Sequence, residues 1–267
     1  MLDEGTQFRG TTRDAVTILL YLQNKYQDEC VLLSHVEAAL KQNKQAEQEI
    51  DAPLSWYDVG AVWVHGKLWL PDEFYSRTRK CPHRFLLVPL TLVSRDLKGF
   101  HANFIIVDTH KRVLERFEPY GQTPRAFLGG ATVQVLCDAL LEVALKALGD
   151  TASVINPLHV AKWQLQLQQE TEKLMDPTKG DPLGYCLAWS ALYVDTRLAC
   201  PLLRAEHVPA HLIRLMEAYP QRMTLYIQKY SAQLRALDAK ARREHKVLDA
   251  AQIKRLLKLD GTGGTVV

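Results

Sequence analysis

The stretch Gly180-Asp181-Pro182-Leu183-Gly184-Tyr185-Cys186-Leu187-Ala188-Trp189-Ser190 delivers a thiol into the first turns of an apolar segment. Asp181 is a good N-cap and Pro182 a good first helical residue. Gly184 allows a later start, which puts Cys186 nearer the helix N-terminus. In either case backbone N–H groups point towards the sulfur, and the helix dipole favours thiolate, the nucleophilic form. Taken alone, Cys186 is read more simply as a small buried hydrophobe. A nucleophilic cysteine needs a base, and that base needs an orienting group.

Residues 100–121 offer both. Phe100-His101-Ala102-Asn103-Phe104-Ile105-Ile106-Val107-Asp108 is a near-continuous apolar run, expected as a buried strand. Asp108 to Lys111 reads as a turn, Val113 to Glu118 as the return strand, and Pro119-Tyr120-Gly121 as its end. A symmetric loop of two or four residues pairs positions whose numbers sum to 219. That register sets His101 opposite Glu118, Asn103 opposite Arg116 and Asp108 opposite Lys111. Directly opposed side chains lie about 5 Å apart at Cβ. A carboxylate there would orient the imidazole and stabilise its protonated form. The plainer alternative is a cross-strand surface pair, and a three-residue loop would break the register.

The elements that position these groups follow from periodicity. Thr11 to Tyr26 predicts a helix with an apolar stripe at Val16, Leu19, Leu20 and Leu22; Ser34 to Leu40 predicts a second. Lys41 to Asp51 is polar. Trp56, Tyr57, Trp63, Trp69, Phe74 and Tyr75 crowd one span, as packing against a sheet or as the lining of a groove. Arg84 to Leu90 reads as a strand ending near Pro89. Ala131 to Leu148 predicts an apolar helix, 151–156 a strand and 163–175 a Gln-rich helix. The Cys186 helix is expected to stop at Cys200-Pro201, followed by helices over 208–218 and about 221–257. Helices, then strands, then helices make an α+β layout.

The 267 residues are 47% hydrophobic and 24% charged, enough for a sizeable core, and no run has the roughly 20 apolar residues of a membrane span. The start, Met1-Leu2-Asp3-Glu4-Gly5, lacks the layout of a signal peptide, so an intracellular site is expected. Five scattered cysteines suggest free thiols in a reducing compartment, and Cys81-Pro82-His83 reads as a loop. Of the net +3, an excess of seven lies in 221–258, with ten Lys/Arg against three Asp/Glu, leaving −4 elsewhere. This basic helix is read as a solvated face, as a site for an anionic partner such as nucleic acid, or as a docking stripe through Ile227, Leu234 and Leu237.

With the chain order His–acid–Cys, the sequence resembles the adenovirus-type and SUMO-deconjugating (adenain-like) cysteine peptidases. Phe117-Glu118-Pro119-Tyr120-Gly121 is similar to the acid-bearing segment of the adenovirus protease, and the seventeen-residue step from His101 to Glu118 is the family's. His101 to Asp108 and Asp181 to Ser190 look like the divergent members encoded by large DNA viruses. The resemblance covers residues 84–200. It implies a central mixed or antiparallel sheet with the Cys186 helix packed on it, a peptidase core over 84–200, an aromatic-rich N-terminal extension over 1–83 and a basic helical extension over 201–267.

The resemblance also implies acyl transfer by His101, Glu118 and Cys186, with a glutamine in the oxyanion hole. It implies a protein substrate, either a viral polyprotein or a ubiquitin-like conjugate of the Gly-Gly type, with no cofactor and no metal. YopJ-type acyltransferases use a similar arrangement, and an inactive binding module is a third reading. The chain departs from the family at Ala102, where tryptophan is usual, and at Lys179 and Gly180, where better-known members hold the glutamine. Gln166, alternatively Gln164, is the expected substitute, ahead of Gln168 and Gln169.

Overall fold

The computed structural model describes residues 12–26, 30–31, 60–157 (apart from 98, 122 and 124) and 185–243. Seven strands form one mixed sheet: β1 (Cys30–Val31), β2 (Ala61–Val64), β3 (Lys67–Trp69), β4 (Phe85–Val93), β5 (Phe100–Asp108), β6 (Val113–Phe117) and β7 (Ser153–Ile155). Their order is β3-β2-β4-β5-β6-β7, with β1 parallel to β4 beside β2. The helices among the described residues are α1 (Thr12–Lys25), α2 (Phe74–Lys80), α3 (Val133–Leu148), α4 (Cys186–Ala199), α5 (His207–Ala218) and α6 (Pro220–Arg243). None is long and apolar enough to cross a membrane. The architecture is α+β, as expected.

Both faces of β4 and β5 are covered, which is why these strands read as unbroken apolar runs rather than alternating ones. Phe85, Leu87, Phe104, Ile106 and Phe117 pack on one side with side chains of α1, α4, α5 and α6. Leu86, Val88, Leu90, Ile105, Val107 and Leu114 pack on the other with Leu136, Leu140 and Val143 of α3. Strands β1 to β3, from the region expected as an extension, complete the same sheet. Ile227 and Leu234 of α6 are buried in the α4-side core, so this part of the stripe packs inside the chain; the Leu237 side chain lies outside those described. Of the crowded aromatics, Trp63 and Phe74 are buried in the α3-side core, while Trp69 is exposed.

Two local expectations need correction. Strand β4 runs past Pro89 to Val93. Pro89 falls between residues 86–87, paired with β1, and 90–92, paired with β2, where that edge has no continuous ladder to interrupt. The β5–β6 hairpin pairs Phe104 with Phe117 and Asp108 with Val113, so paired numbers sum to 221, not 219. The connection is Thr109 to Arg112, closed by Arg112 at φ +55, a left-handed position that no glycine or asparagine marks in the sequence. Asp108 therefore faces Val113; the backbone N–H of Lys111 caps its carboxylate at 3.0 Å, and its ion pair is with Arg84 at 2.7 Å.

A buried charge cluster ties the far end of α4 to the sheet. Arg197 donates to both Glu115 oxygens, at 2.9 and 3.0 Å, and lies 3.7 Å from Asp108. Tyr193 donates to Glu115 at 2.9 Å. Each charge has an opposite partner, which is the condition for tolerating ions there. Replacing Glu115 with Ala strands the Arg197 charge, so a loss of about 3–5 kcal/mol in denaturant-unfolding stability is expected. A loss below about 1 kcal/mol would show that the cluster is not structural in this sense.

Candidate active site

Helix α4 begins at Cys186, with Tyr185 at the N-cap position and no side-chain cap. The later of the two expected starts is the one observed; Asp181 and Pro182 lie outside the described residues. As the first helical residue, Cys186 sits where backbone N–H groups have no intrahelical acceptor. The backbone N–H of Ala102 donates to Cys186 Sγ at 3.4 Å, and the Ser190 hydroxyl, one turn on, donates to the Ala102 carbonyl at 3.2 Å. One peptide-flanked residue of β5 thus receives the start of α4 twice. Trp189 is buried in the same core as Cys186.

His101 and Glu118 are brought together, though not by direct opposition. In the observed register they are diagonal neighbours on one face, a relation within reach of long side chains. His101 Nε2 lies 2.6 Å from Glu118 Oε1. The Cys186 thiol is near enough to the ring to act on its titration. Exposures of 3% for His101, 0% for Glu118 and 5% for Cys186 exclude the surface-pair reading. Tyr120 and Phe127 flank the imidazole, with ring centroids 5.6 and 5.4 Å away.

The electrostatics follow from burial. Desolvation, the largest effect on His101, pushes its pKa down. The Glu118 charge and the hydrogen bonds to Cys186 and Glu118 outweigh it and raise the value from 6.5 to about 10. Desolvation pushes Glu118 up, but His101, then Arg116, then the Tyr120 backbone N–H bring it from 4.5 to about 2. The Glu118–Pro119–Tyr120–Gly121 turn that supplies this N–H is closed by a 2.9 Å bond from Gly121 N–H to the Glu118 carbonyl, with Gly121 at φ +77.

Three further polar residues surround the carboxylate. Arg116 Nη1 donates to Glu118 Oε2 at 3.4 Å and to Asn103 Oδ1 at 2.7 Å. The Thr123 hydroxyl donates to Glu118 Oε2 at 3.3 Å and accepts from Arg116. The sequence carried a signal for two of them. Asn103 is two residues after His101, and Arg116 two before Glu118, so strand periodicity puts all four on one face. Thr123 follows a turn and had no such mark. Gln166, Gln164, Gln168 and Gln169 lie outside the described residues. Among those described, no group of three His, Cys, Asp or Glu could hold a metal ion. Free thiols are found at Cys137, Cys186 and Cys200, but Cys81 is disulfide-bonded, against the expectation from cysteine count. Spacing does not encode the proximity of thiols in space.

No protein-family model matches the chain. It is 25% identical over 226 residues to a putative ankyrin repeat protein of Acanthamoeba polyphaga mimivirus, covering 78% of this chain and 28% of that protein. The chain thus spans just over a quarter of that curated relative. The fold is similar to the effector ChlaDUB1 of Chlamydia trachomatis, at 14% identity and a TM-score of 0.43, covering 85% of this chain and 83% of that one. It is also similar to the SUMO protease Ulp1, at 11% identity and a TM-score of 0.38, covering 85% and 77%.

The sign of the pH dependence follows from the two shifts. The raised His101 value contributes stability that is complete below about pH 6.5 and lost as pH rises through about 10. The lowered Glu118 value contributes stability that is complete above about pH 4.5 and lost as pH falls through about 2. In Glu118→Gln the main support for protonated His101 is gone. NMR titration of the imidazole should then find its midpoint well below the wild-type value, and the alkaline loss of stability should flatten. An unchanged midpoint would show that the carboxylate does not control the ring.

Proposed function

We propose that the chain is a cysteine peptidase of the adenain-like type, with Cys186 as nucleophile, His101 as general base and then acid, and Glu118 as the orienting carboxylate. The observation that supports this most directly is the position of the His101 ring, held between the Glu118 carboxylate and the Cys186 thiol at a helix N-terminus. His101 takes the thiol proton and Glu118 balances the imidazolium. Sulfur attacks the substrate carbonyl, and the new oxyanion is met by the Cys186 backbone N–H and, in this reading, by Gln166 or Gln164. Imidazolium then protonates the leaving amine, and water, activated by the same imidazole, releases the acyl-enzyme. Pre-organised donors of the oxyanion-hole kind typically contribute about 10²–10³ in kcat each.

The proposed substrate class is a ubiquitin-like protein with a Gly-Gly terminus or a viral polyprotein junction, as the family resemblance implies. The inactive-module reading rested on the unplaced glutamine, and the buried His101–Glu118 pair, one residue along the chain from the N–H that touches Cys186 Sγ, weighs against it. The anionic-partner reading of 221–258 is divided by the end of the described residues: six of its ten Lys/Arg lie within 221–243 and four beyond it. The test is labelling with electrophiles built on ubiquitin, SUMO and short Gly-Gly peptides. Labelling should disappear in Cys186→Ala and persist in Cys200→Ala, and the probe that reacts identifies the substrate class. Equal labelling of the two variants would sink the proposal. Acetylation of Cys186 by acetyl-CoA would instead favour the acyltransferase.

A further inference from the structure

The two oxygens of Glu118 meet different partners. Oε1 faces His101 at 2.6 Å and accepts from the Tyr120 backbone N–H at 3.1 Å. Oε2 accepts from Arg116 at 3.4 Å and from Thr123 at 3.3 Å. Arg116 is itself buried and is gripped by Asn103 Oδ1 at 2.7 Å and by Thr123 Oγ1 at 3.1 and 3.2 Å. Committing Oδ1 to Arg116 leaves Asn103 Nδ2 buried with no partner among the described residues, which is unfavourable because the amide has given up water without a replacement. The grip is therefore neutral at the expense of an unsatisfied donor. An aspartate in the same place would satisfy Arg116 but cancel its charge, leaving the Glu118 charge to be balanced by His101.

We infer that Arg116 is a positioning residue of the triad: clamped by Asn103 and Thr123, it shares the Glu118 carboxylate with His101, holding Oε1 on the ring and tempering the negative charge that the ring feels. This inference rests on the reading of His101 and Cys186 as base and nucleophile. The charged or titratable groups facing the carboxylate are His101 from β5 and Arg116 from β6. Cys186, at the start of α4, lies across the ring, and Tyr120 packs edge-on to it. If Arg116 were removed, the Tyr120 N–H and the Thr123 hydroxyl would still hold Glu118, so the main change is loss of a positive charge. Loss of a nearby positive charge raises every neighbouring pKa, whereas loss of Glu118 lowers them.

The opposite signs make the test. In the full chain, the alkylation rate of Cys186 by iodoacetamide is followed against pH by peptide mass spectrometry, beside NMR titration of His101. Arg116→Gln should move the alkaline limb and the ring titration upward by about one pH unit, the scale of a unit charge at an effective dielectric near 20. Arg116→Lys, which keeps the charge, should follow the wild type. Asn103→Asp should also move both upward, and it serves where Arg116→Gln does not fold. Glu118→Gln should move both downward. If Glu118→Gln moves them and neither Arg116→Gln nor Asn103→Asp moves them upward, the role assigned to Arg116 is overturned while the triad stands. If Glu118→Gln moves nothing, the triad reading fails and this inference with it.

Discussion

A carboxylate with no exposed surface stays ionised only if donors and cations replace the water it has lost. Glu118 meets that condition with four groups: the His101 ring, the Arg116 guanidinium, the Thr123 hydroxyl and the Tyr120 backbone N–H. Each comes from a place the fold must specify. The ring is two residues into β5, the guanidinium two residues before the carboxylate on β6, and the other two are on the turn that ends β6 and just after it. Displacing the strands or the turn together would leave a buried charge uncovered, which costs several kcal/mol. The hairpin, its turn and the site are therefore under one constraint.

The second demand is that a thiol arrive beside that ring from the other side of the sheet. Helix α4 does this because it is fixed at both ends. Ser190 and the Ala102 peptide hold the start, and Arg197, Glu115 and Tyr193 hold the last turns. Lys25 and Tyr26, at the end of α1, add a third attachment through Asp195. Two buried charge clusters thus lie on opposite faces of β6. Arg116 and Glu118 look towards the imidazole, and Glu115 looks towards α4. Alternation along the strand keeps the two sets of charges apart.

The pairing of His101 with Glu118 was legible in the sequence for a reason that survived an error in register. The expected pairs summed to 219 and the observed ones sum to 221. A change of two in that sum preserves side-chain parity, so both residues stay on one face and become diagonal instead of opposed. A change of one would have put them on opposite faces. What the sequence could not show was the placement of the four-residue turn at 109–112 rather than 108–111, because Arg112 takes a positive φ that glycine or asparagine usually marks. The late start of α4 was one of two readings, since Asp181-Pro182 and Gly184 give conflicting signals. The roles of Asn103, Arg116 and Thr123 depend on which polar atoms meet inside the fold, and residue type alone does not encode that.

Ala102 lies between the two halves of the site. It follows the imidazole in the chain, its N–H touches the sulfur, and its carbonyl receives the helix that carries the sulfur. The imidazole and the thiol are thus referenced to a single amino acid, not to two elements that must be aligned independently. Errors in placement elsewhere do not accumulate between them. Insertions or drift in α5, α6 or the edge strands can shift what surrounds the site while the separation of imidazole and thiol is preserved. Such an arrangement leaves the outer layers free to vary without moving the two groups apart.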